Sequence, residues 1–223
     1  MYLFIDLLFF RRLMTIRLLV ADDHEVVRTG IASLVEGTEI QIVAEVSSGT
    51  EAVRRVVETN PDVALIDVRM TDGDGLETLS QLKQEAPDTK VLILSNYDNP
   101  TYVARALALE ASGYLLKGAG CDELLTAIRQ VAAGESVWTR EELRRVSGAL
   151  SAPSANLDID VSLTKRESEV LRQLAFGLSN KEIAKALKIG YETVKEHVQH
   201  ILRKIGVSDR TQAAVWAVRK GLV

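Results

Sequence analysis

The sequence is poor in the features that staple a chain or carry it across a bilayer. It has one cysteine, Cys121, so no disulfide can close within the chain, and a reducing cytoplasm is the expected setting. A position near a helix start can activate a thiol, but a buried, inert one is the expectation here. No sequence repeat or low-complexity tract is present. The most apolar stretch, Tyr2–Phe10, is interrupted by Asp6 and is too short to span a bilayer. Its flanking Arg11 and Arg12 follow the apolar run, whereas a signal peptide carries its positive charges first. No membrane partner is therefore expected. Met14 stands just before the first strand-like run, so residues 1–13 read as a mis-assigned start or disordered extension rather than an amphipathic anchor.

What the chain does have is apolar material and an uneven charge. A hydrophobic fraction of 47% over 223 residues is ample for two domains without a disulfide or metal staple. The net charge of −4 divides into 15 basic and 23 acidic side chains in residues 1–157, against 12 basic and 8 acidic in residues 158–223. An acidic half joined to a basic half suggests different partners, and the basic half is the candidate for nucleic acid. A basic balance alone is a weak signal, because solvated helices are often lysine-rich.

Four polar sites each end a short apolar run: Asp22-Asp23 after Ile16–Ala21, Asp67 after Val63–Ile66, Ser95 after Val91–Leu94, and Lys117 after Tyr114–Leu116. Such Val/Ile/Leu-rich runs are typical of buried parallel strands. The sites lie 44, 28 and 22 residues apart, and the longest interval holds a further strand, Ile40–Val46. Helical patterns at 24–34, 49–58, 75–85, 100–109 and 121–133 alternate with the strands. Strict alternation predicts an α/β domain with a five-stranded, doubly wound parallel sheet. In that fold the strand ends converge on one crevice at the carboxyl edge. A lone aspartate after a strand is usually a helix cap, and a lysine there is usually solvated. Three carboxylates, a hydroxyl and an ammonium ending successive βα units instead suggest a site for a divalent cation and a phosphoryl group. Mg²⁺ prefers oxygen ligands from one or two carboxylates plus phosphate, and a carboxylate held beside it can attack phosphorus.

The stretches LLVADDHEVVRTG, LIDVRMTDGDGLE, LILSNYDN and GYLLKG resemble a flavodoxin-like response-regulator receiver domain. The resemblance implies that Asp67 accepts phosphate from a histidine kinase, with Asp22, Asp23, Asp67 and the backbone carbonyl of Arg69 around Mg²⁺. It implies Ser95 and Tyr114 as a switch pair and Lys117 as the phosphate-sensing lysine. Two departures stand out. Thr71 replaces the family's usual proline, which predicts a less rigid loop, and Asn96 replaces a small residue; both would alter phosphate lifetime.

Beyond Gly134 the pattern changes. Thr139–Leu150 reads as a charged helix and Ser151–Asp160 as a flexible linker. From Leu163 onward the chain is helical, a second, smaller all-α domain. Thr164-Lys165-Arg166-Glu167 and Ser179-Asn180-Lys181-Glu182 are capping boxes. The second opens a short helix through Leu187, followed by a turn and a longer helix over 191–205. Val194, Val198, Ile201 and Ile205 share one face of that helix, with Glu192, Lys195, Glu196, Gln199 and Arg203 opposite. Short helix, tight turn and longer helix make a helix-turn-helix whose second helix enters the major groove.

The string LTKRESEVLRQLAFGLSNKEIAKALKIGYETVKEHVQHILRKIGVSDRTQAA resembles a LuxR-type (NarL/FixJ-like) DNA-binding domain. The match implies base contacts from Lys195, Glu196 and Gln199, and phosphate contacts from Lys181, Thr193, Lys204 and Arg210. Lys185 and Lys188 read as solvated. Gly190 replaces the usual serine N-cap at a cost of a few tenths of a kcal/mol. The family dimerises through its last helix, here 209–220, which implicates Ala213, Ala214 and Ala217. The alternative is that this helix packs on its own core.

The expected organisation is therefore a receiver over 14–134, a linker over 135–161 and a DNA-binding domain over 162–223. The expected function is a phosphorylation-controlled transcription regulator of a two-component system. Its partners would be DNA, a cognate histidine kinase and a second copy of the chain, with no small-molecule substrate beyond phosphodonors. A vestigial receiver is disfavoured by the complete Asp/Asp/Asp/Ser/Lys set. An aspartyl phosphatase is disfavoured too, because such enzymes typically place a second carboxylate two residues after the nucleophile, where this chain has Arg69. The chain is expected not to be an enzyme.

Overall fold

The computed structural model describes residues 15–71, 73–150 and 162–223, excluding the side chains of 148–150. The expectations for residues 1–13 and for the linker Ser151–Asp160 lie outside the described residues. Two compact units emerge, one up to Asn96 with Ala111–Val137, the other Tyr97–Glu110 with Trp138–Val223.

The first unit contains strands β1 (Ile16–Ala21), β2 (Ile40–Val46), β3 (Val63–Asp67), β4 (Arg69–Met70), β5 (Gly73–Asp74), β6 (Lys90–Ser95) and β7 (Gly113–Leu116). Five of them form the expected parallel sheet, in the order β2-β1-β3-β6-β7. Every residue of β3 is buried, as a central strand covered on both faces requires. The antiparallel β4–β5 pair was not expected, since two-residue strands carry no periodicity.

Helices α1 (Glu25–Val35), α2 (Gly49–Thr59), α3 (Gly75–Glu85) and α5 (Cys121–Ala132) belong to this unit; the intervening α4 (Pro100–Ala108) falls in the second. Ile31 and Val35 of α1 and Ala127, Ile128 and Val131 of α5 pack with Leu18, Val20, Leu65, Leu92 and Leu94. The side chains of Ser48 and Asp74 cap α2 and α3 by accepting from Glu51 N and Leu76 N. Cys121 is exposed at the first position of α5, contrary to the expected buried thiol. The helix start, not the apolar face, takes that residue. Strand order reverses at β1, whose two neighbours are β2 and β3. The switch point therefore lies where Asp22-Asp23 and Asp67 leave the sheet.

The second unit adds α6 (Arg140–Leu150), α7 (Lys165–Ala175), α8 (Asn180–Leu187), α9 (Tyr191–Ile205) and α10 (Arg210–Arg219). Both expected capping boxes form, at Thr164/Glu167 and Ser179/Glu182. Gly190 caps α9 with extended backbone and no side-chain bond. Val170, Leu171 and Leu174 of α7, Ile183 of α8, Val194, Ile201 and Ile205 of α9 and Ala213, Ala214 and Ala217 of α10 form one core. Within this unit Arg105 of α4 is fully buried, its guanidinium 5.5 Å from the centre of the Phe176 ring. No helix among the described residues is long and apolar enough to cross a membrane.

Candidate functional site

Asp22 follows β1 and is 1% exposed, and Asp67 is the last residue of β3. Two strand ends that are neighbours in the sheet thus deliver two buried carboxylates to one crevice. Lys117, just beyond β7, answers both: its Nζ forms an ion pair with Asp22 Oδ2 at 2.7 Å and donates to Asp67 Oδ2 at 2.8 Å. Burial acts to raise the Asp67 pKa and the Asp22 charge adds to it. Together these outweigh the Lys117 hydrogen bond, leaving Asp67 above the ordinary aspartate value. For Lys117, burial acts downward, but the two carboxylates outweigh it and hold the ammonium above its usual pKa.

Asp23 is held differently. Its Oδ2 accepts from the Thr71 hydroxyl at 2.6 Å. Partial burial acts to raise its pKa, but the Thr71 hydrogen bond and the neighbouring His24 imidazole leave it below the ordinary value. The loop after Asp67 is thereby anchored to the carboxylate pair. Thr71 thus supplies a side-chain anchor that a proline ring at this position would lack. Asp23 Oδ1 is buried without a properly directed hydrogen bond. That oxygen lies 2.7 Å from His24 Nδ1, and three carboxylates gathered in one crevice fit a hard divalent cation. One atom from each of Asp22, Asp23, His24 and Asp67 lies within 4.8 Å of the others.

Ser95, fully buried, ends β6, and Tyr114, 3% exposed, lies in β7. In the β6–β7 register Ser95 faces Leu116 and Tyr114 faces Ile93. Tyr114 is thus more deeply buried than an ordinary half-covered strand residue. The Arg69 amide points to Asp67 Oδ1 at 3.4 Å.

Sequence reasoning missed three residues here. His24 is visible in the run Asp22-Asp23-His24, but Thr71 reveals its role only through the bond it makes. Gly75 read merely as a helix start. A Cβ on Gly75 would run into the backbone oxygen of Asp67. Gly75→Ala is therefore expected to displace the Asp67 backbone and to cost about 1–3 kcal/mol, as overpacking of a tight site does. Denaturant unfolding of the variant measures this.

In the second unit, Lys181, Thr193, Lys195, Glu196 and Gln199 are exposed, as are Lys185 and Lys188. Val194, Ile201 and Ile205 are buried on the opposite face of α9. The surroundings of three further groups bear on their expected roles. Lys204 Nζ donates to Glu167 Oε2 at 2.7 Å and braces the α7 capping box, while its side chain remains exposed. Arg210 is part-buried and donates to the Leu178 carbonyl at 2.5 Å; burial lowers its pKa. Both cations thus help to hold the fold. Ala213, Ala214 and Ala217 are fully buried in the unit's own core, so they present no surface to a second copy. Small side chains there serve the close approach of α10 to α7 and α9.

Residues 18–129 match the model of the response regulator receiver domain family, and residues 161–217 match that of the bacterial regulatory proteins of the luxR family. The response regulator protein VraR of Staphylococcus aureus is 40% identical over 211 residues, which is 94% of this chain and 100% of that protein. The chain belongs to the LuxR-type response regulators. A crystal structure of the response regulator ChrA, from a heme-sensing two-component system, is similar at 34% identity and a TM-score of 0.52, covering 94% of this chain and 100% of that one. The receiver domain of a NarL response regulator from Mycobacterium tuberculosis is similar at 32% identity and a TM-score of 0.52, covering 54% of this chain and 98% of that one. As a member of this family the chain couples a receiver domain to a helix-turn-helix DNA-binding domain.

Proposed function

We propose that Asp67 is the phosphoacceptor of a cytoplasmic transcription regulator that is phosphorylated by a histidine kinase and binds operator DNA as a dimer. The observation that carries this reading is the position of Asp67. It ends the central strand, beside Asp22 and Asp23 and within reach of Lys117. Phosphotransfer would break the phosphorus–nitrogen bond of a phosphohistidine and form a phosphorus–oxygen bond to an Asp67 oxygen, returning the imidazole to the kinase. Asp22, Asp23, Asp67 and the Arg69 carbonyl would hold Mg²⁺, which when bound offsets the negative charge on the phosphoryl oxygens. Lys117 would leave its carboxylate pair to meet the new phosphate, and the Ser95 hydroxyl would donate to it. Tyr114 would fill the space that the serine leaves. That local charge change would bias a two-state receiver surface.

For the DNA-binding half, Lys195, Glu196 and Gln199 would reach base edges, and Lys181 and Thr193 the phosphates. Glu196 suits the amino group of cytosine. An RcsB response regulator from Salmonella typhimurium, described for its DNA interaction, is 25% identical with a TM-score of 0.56, which supports this reading. The family is one of regulators rather than enzymes, and no small-molecule substrate beyond phosphodonors is required.

A small-molecule phosphodonor with Mg²⁺ should add one phosphoryl group to the wild type and none to Asp67→Asn, read by intact mass. Equal labelling of the variant would overturn the assignment.

A further inference from the structure

Arg203 of α9 is an exposed cation with no task in the fold. Among the described residues its guanidinium makes no hydrogen bond or ion pair. The lysines of the same helix are engaged, Lys204 with Glu167 at 2.7 Å and Lys195 with Glu192 at 3.7 Å. Helical periodicity fixes the direction of Arg203. It follows the buried Val194 by nine residues, about two and a half turns, and so stands on the opposite side of the helix. The buried Ile201 and Ile205, two residues away on either side, place it about 200° from each of them. Glu196, nine residues before Ile205, lies opposite the core in the same way. With Gln199 between them, Glu196 and Arg203 form an i, i+3, i+7 stripe along the middle of the exposed face. A helix in the major groove turns the middle of its outward face to the base edges and its flanks to the phosphates. Homeodomain recognition helices read bases from a stripe of this spacing.

We propose that Arg203 reads a guanine in the major groove, about three base pairs from the pair that Glu196 reads. The proposal rests on the reading of α9 as the DNA-contacting helix, and adds a specificity residue and the base it selects. A guanidinium offers a planar fork of N–H donors and no acceptor. Guanine alone presents two major-groove acceptors side by side, O6 and N7, which the fork can meet together. Adenine sets its N6 amino donor beside N7 and so turns one arm of the fork away. Seven residues at a rise of about 1.5 Å put Glu196 and Arg203 about 10.5 Å apart along the helix, against a base-pair step of about 3.4 Å. The stripe therefore spans two G·C pairs about three steps apart, cytosine for the Glu196 carboxylate and guanine for Arg203. Arg203 has no protein partner to surrender, so it meets DNA without breaking an ion pair, unlike Lys195 or Lys204. It also brings positive charge to a face on which Glu192 and Glu196 repel phosphate.

The full chain, treated with a small-molecule phosphodonor and Mg²⁺, is used to select duplexes from a pool with a randomised core. Wild type, Glu196→Ala, Arg203→Ala and Arg203→Lys are compared, and affinities are then measured on the wild-type consensus duplex and its single-base substitutions. Arg203→Ala should erase a guanine preference at one position of each half-site, about three base pairs from the position that Glu196→Ala relaxes. It should weaken binding to the consensus about 5- to 150-fold, the loss of one good bidentate contact. Arg203→Lys keeps the charge in the last turn of α9 but not the planar fork. It should hold the wild-type salt slope while weakening the guanine preference. A loss from Arg203→Ala that is uniform across sequences, with a salt slope shallower by about one unit, would make Arg203 a phosphate contact and overturns the proposal. An unchanged consensus and affinity overturn it too. If Glu196→Ala shifts base preference and Arg203→Ala does not, only this inference falls. If the wild type enriches no sequence, the reading of α9 as the DNA-contacting helix falls, and this inference with it.

Discussion

Lys117→Met is expected to make the stability of the first unit strongly dependent on Mg²⁺. In the wild type one ammonium, largely buried, neutralises Asp22 and Asp67 at 2.7 and 2.8 Å. Removing it leaves two buried carboxylates with no cation between them, a change that typically costs about 3–5 kcal/mol. Part of that cost is relieved by protonation of Asp67, whose pKa burial and the Asp22 charge already raise. A divalent cation would relieve it further. The variant should therefore bind Mg²⁺ more tightly than wild type, because a competing positive charge is gone, and should gain more in melting temperature from added Mg²⁺. Thermal melts of both proteins with and without Mg²⁺ measure this. An equal Mg²⁺ increment in the two proteins would mean that Lys117 and the cation do not share the same carboxylates. With the ammonium absent, phosphorylation of the variant should no longer alter DNA affinity, which separates carrying the phosphate from sensing it.

The second large effect concerns Lys204. Glu167 is buried within its capping box, and the Lys204 hydrogen bond is the main reason its pKa falls to about 2, with Thr164 adding to it against the opposing effect of burial. Lys204→Ala should destabilise the helix-turn-helix unit by about 1.5–3 kcal/mol, the range for loss of a charged hydrogen bond. The pH dependence has a definite sign. The folded carboxylate has a lower pKa than the unfolded one, near 4.5, so between those values the unfolded chain binds more protons. The contribution is fully present above about pH 4.5 and is lost as pH falls toward 2. Urea midpoints should thus fall steeply on acidification in the wild type and more gently in Lys204→Ala. Gln199→Ala, exposed on α9, should leave these midpoints unchanged and relax preference at one base pair, by about 1–3 kcal/mol of discrimination. A uniform loss of DNA affinity from Gln199→Ala, with Lys204→Ala folding normally, would mean that the two roles are reversed.

The strand runs, the alternation that makes the sheet parallel, the two capping boxes and the buried face of α9 could all be read from the sequence. These follow from local periodicity and local hydrogen-bonding chemistry, which a linear string carries in full. The convergence of Asp22, Asp23, Asp67 and Lys117 was legible too, because a doubly wound sheet brings successive strand ends to one edge whatever the loops do. The direction of each side chain was decided only by tertiary packing. Nothing in the string pairs Lys204 with the buried Glu167 or Arg210 with the Leu178 carbonyl, yet packing makes both bonds. Ala213, Ala214 and Ala217 look like an interface and are core, because α7 and α9 cover them. Thr71 bonds to Asp23, 48 residues away, and Gly75 must lack a side chain because the Asp67 carbonyl occupies its place. Partners so distant in sequence leave no periodic trace. Composition and spacing determine which groups reach a site, and only the packed structure determines which of them remain available there.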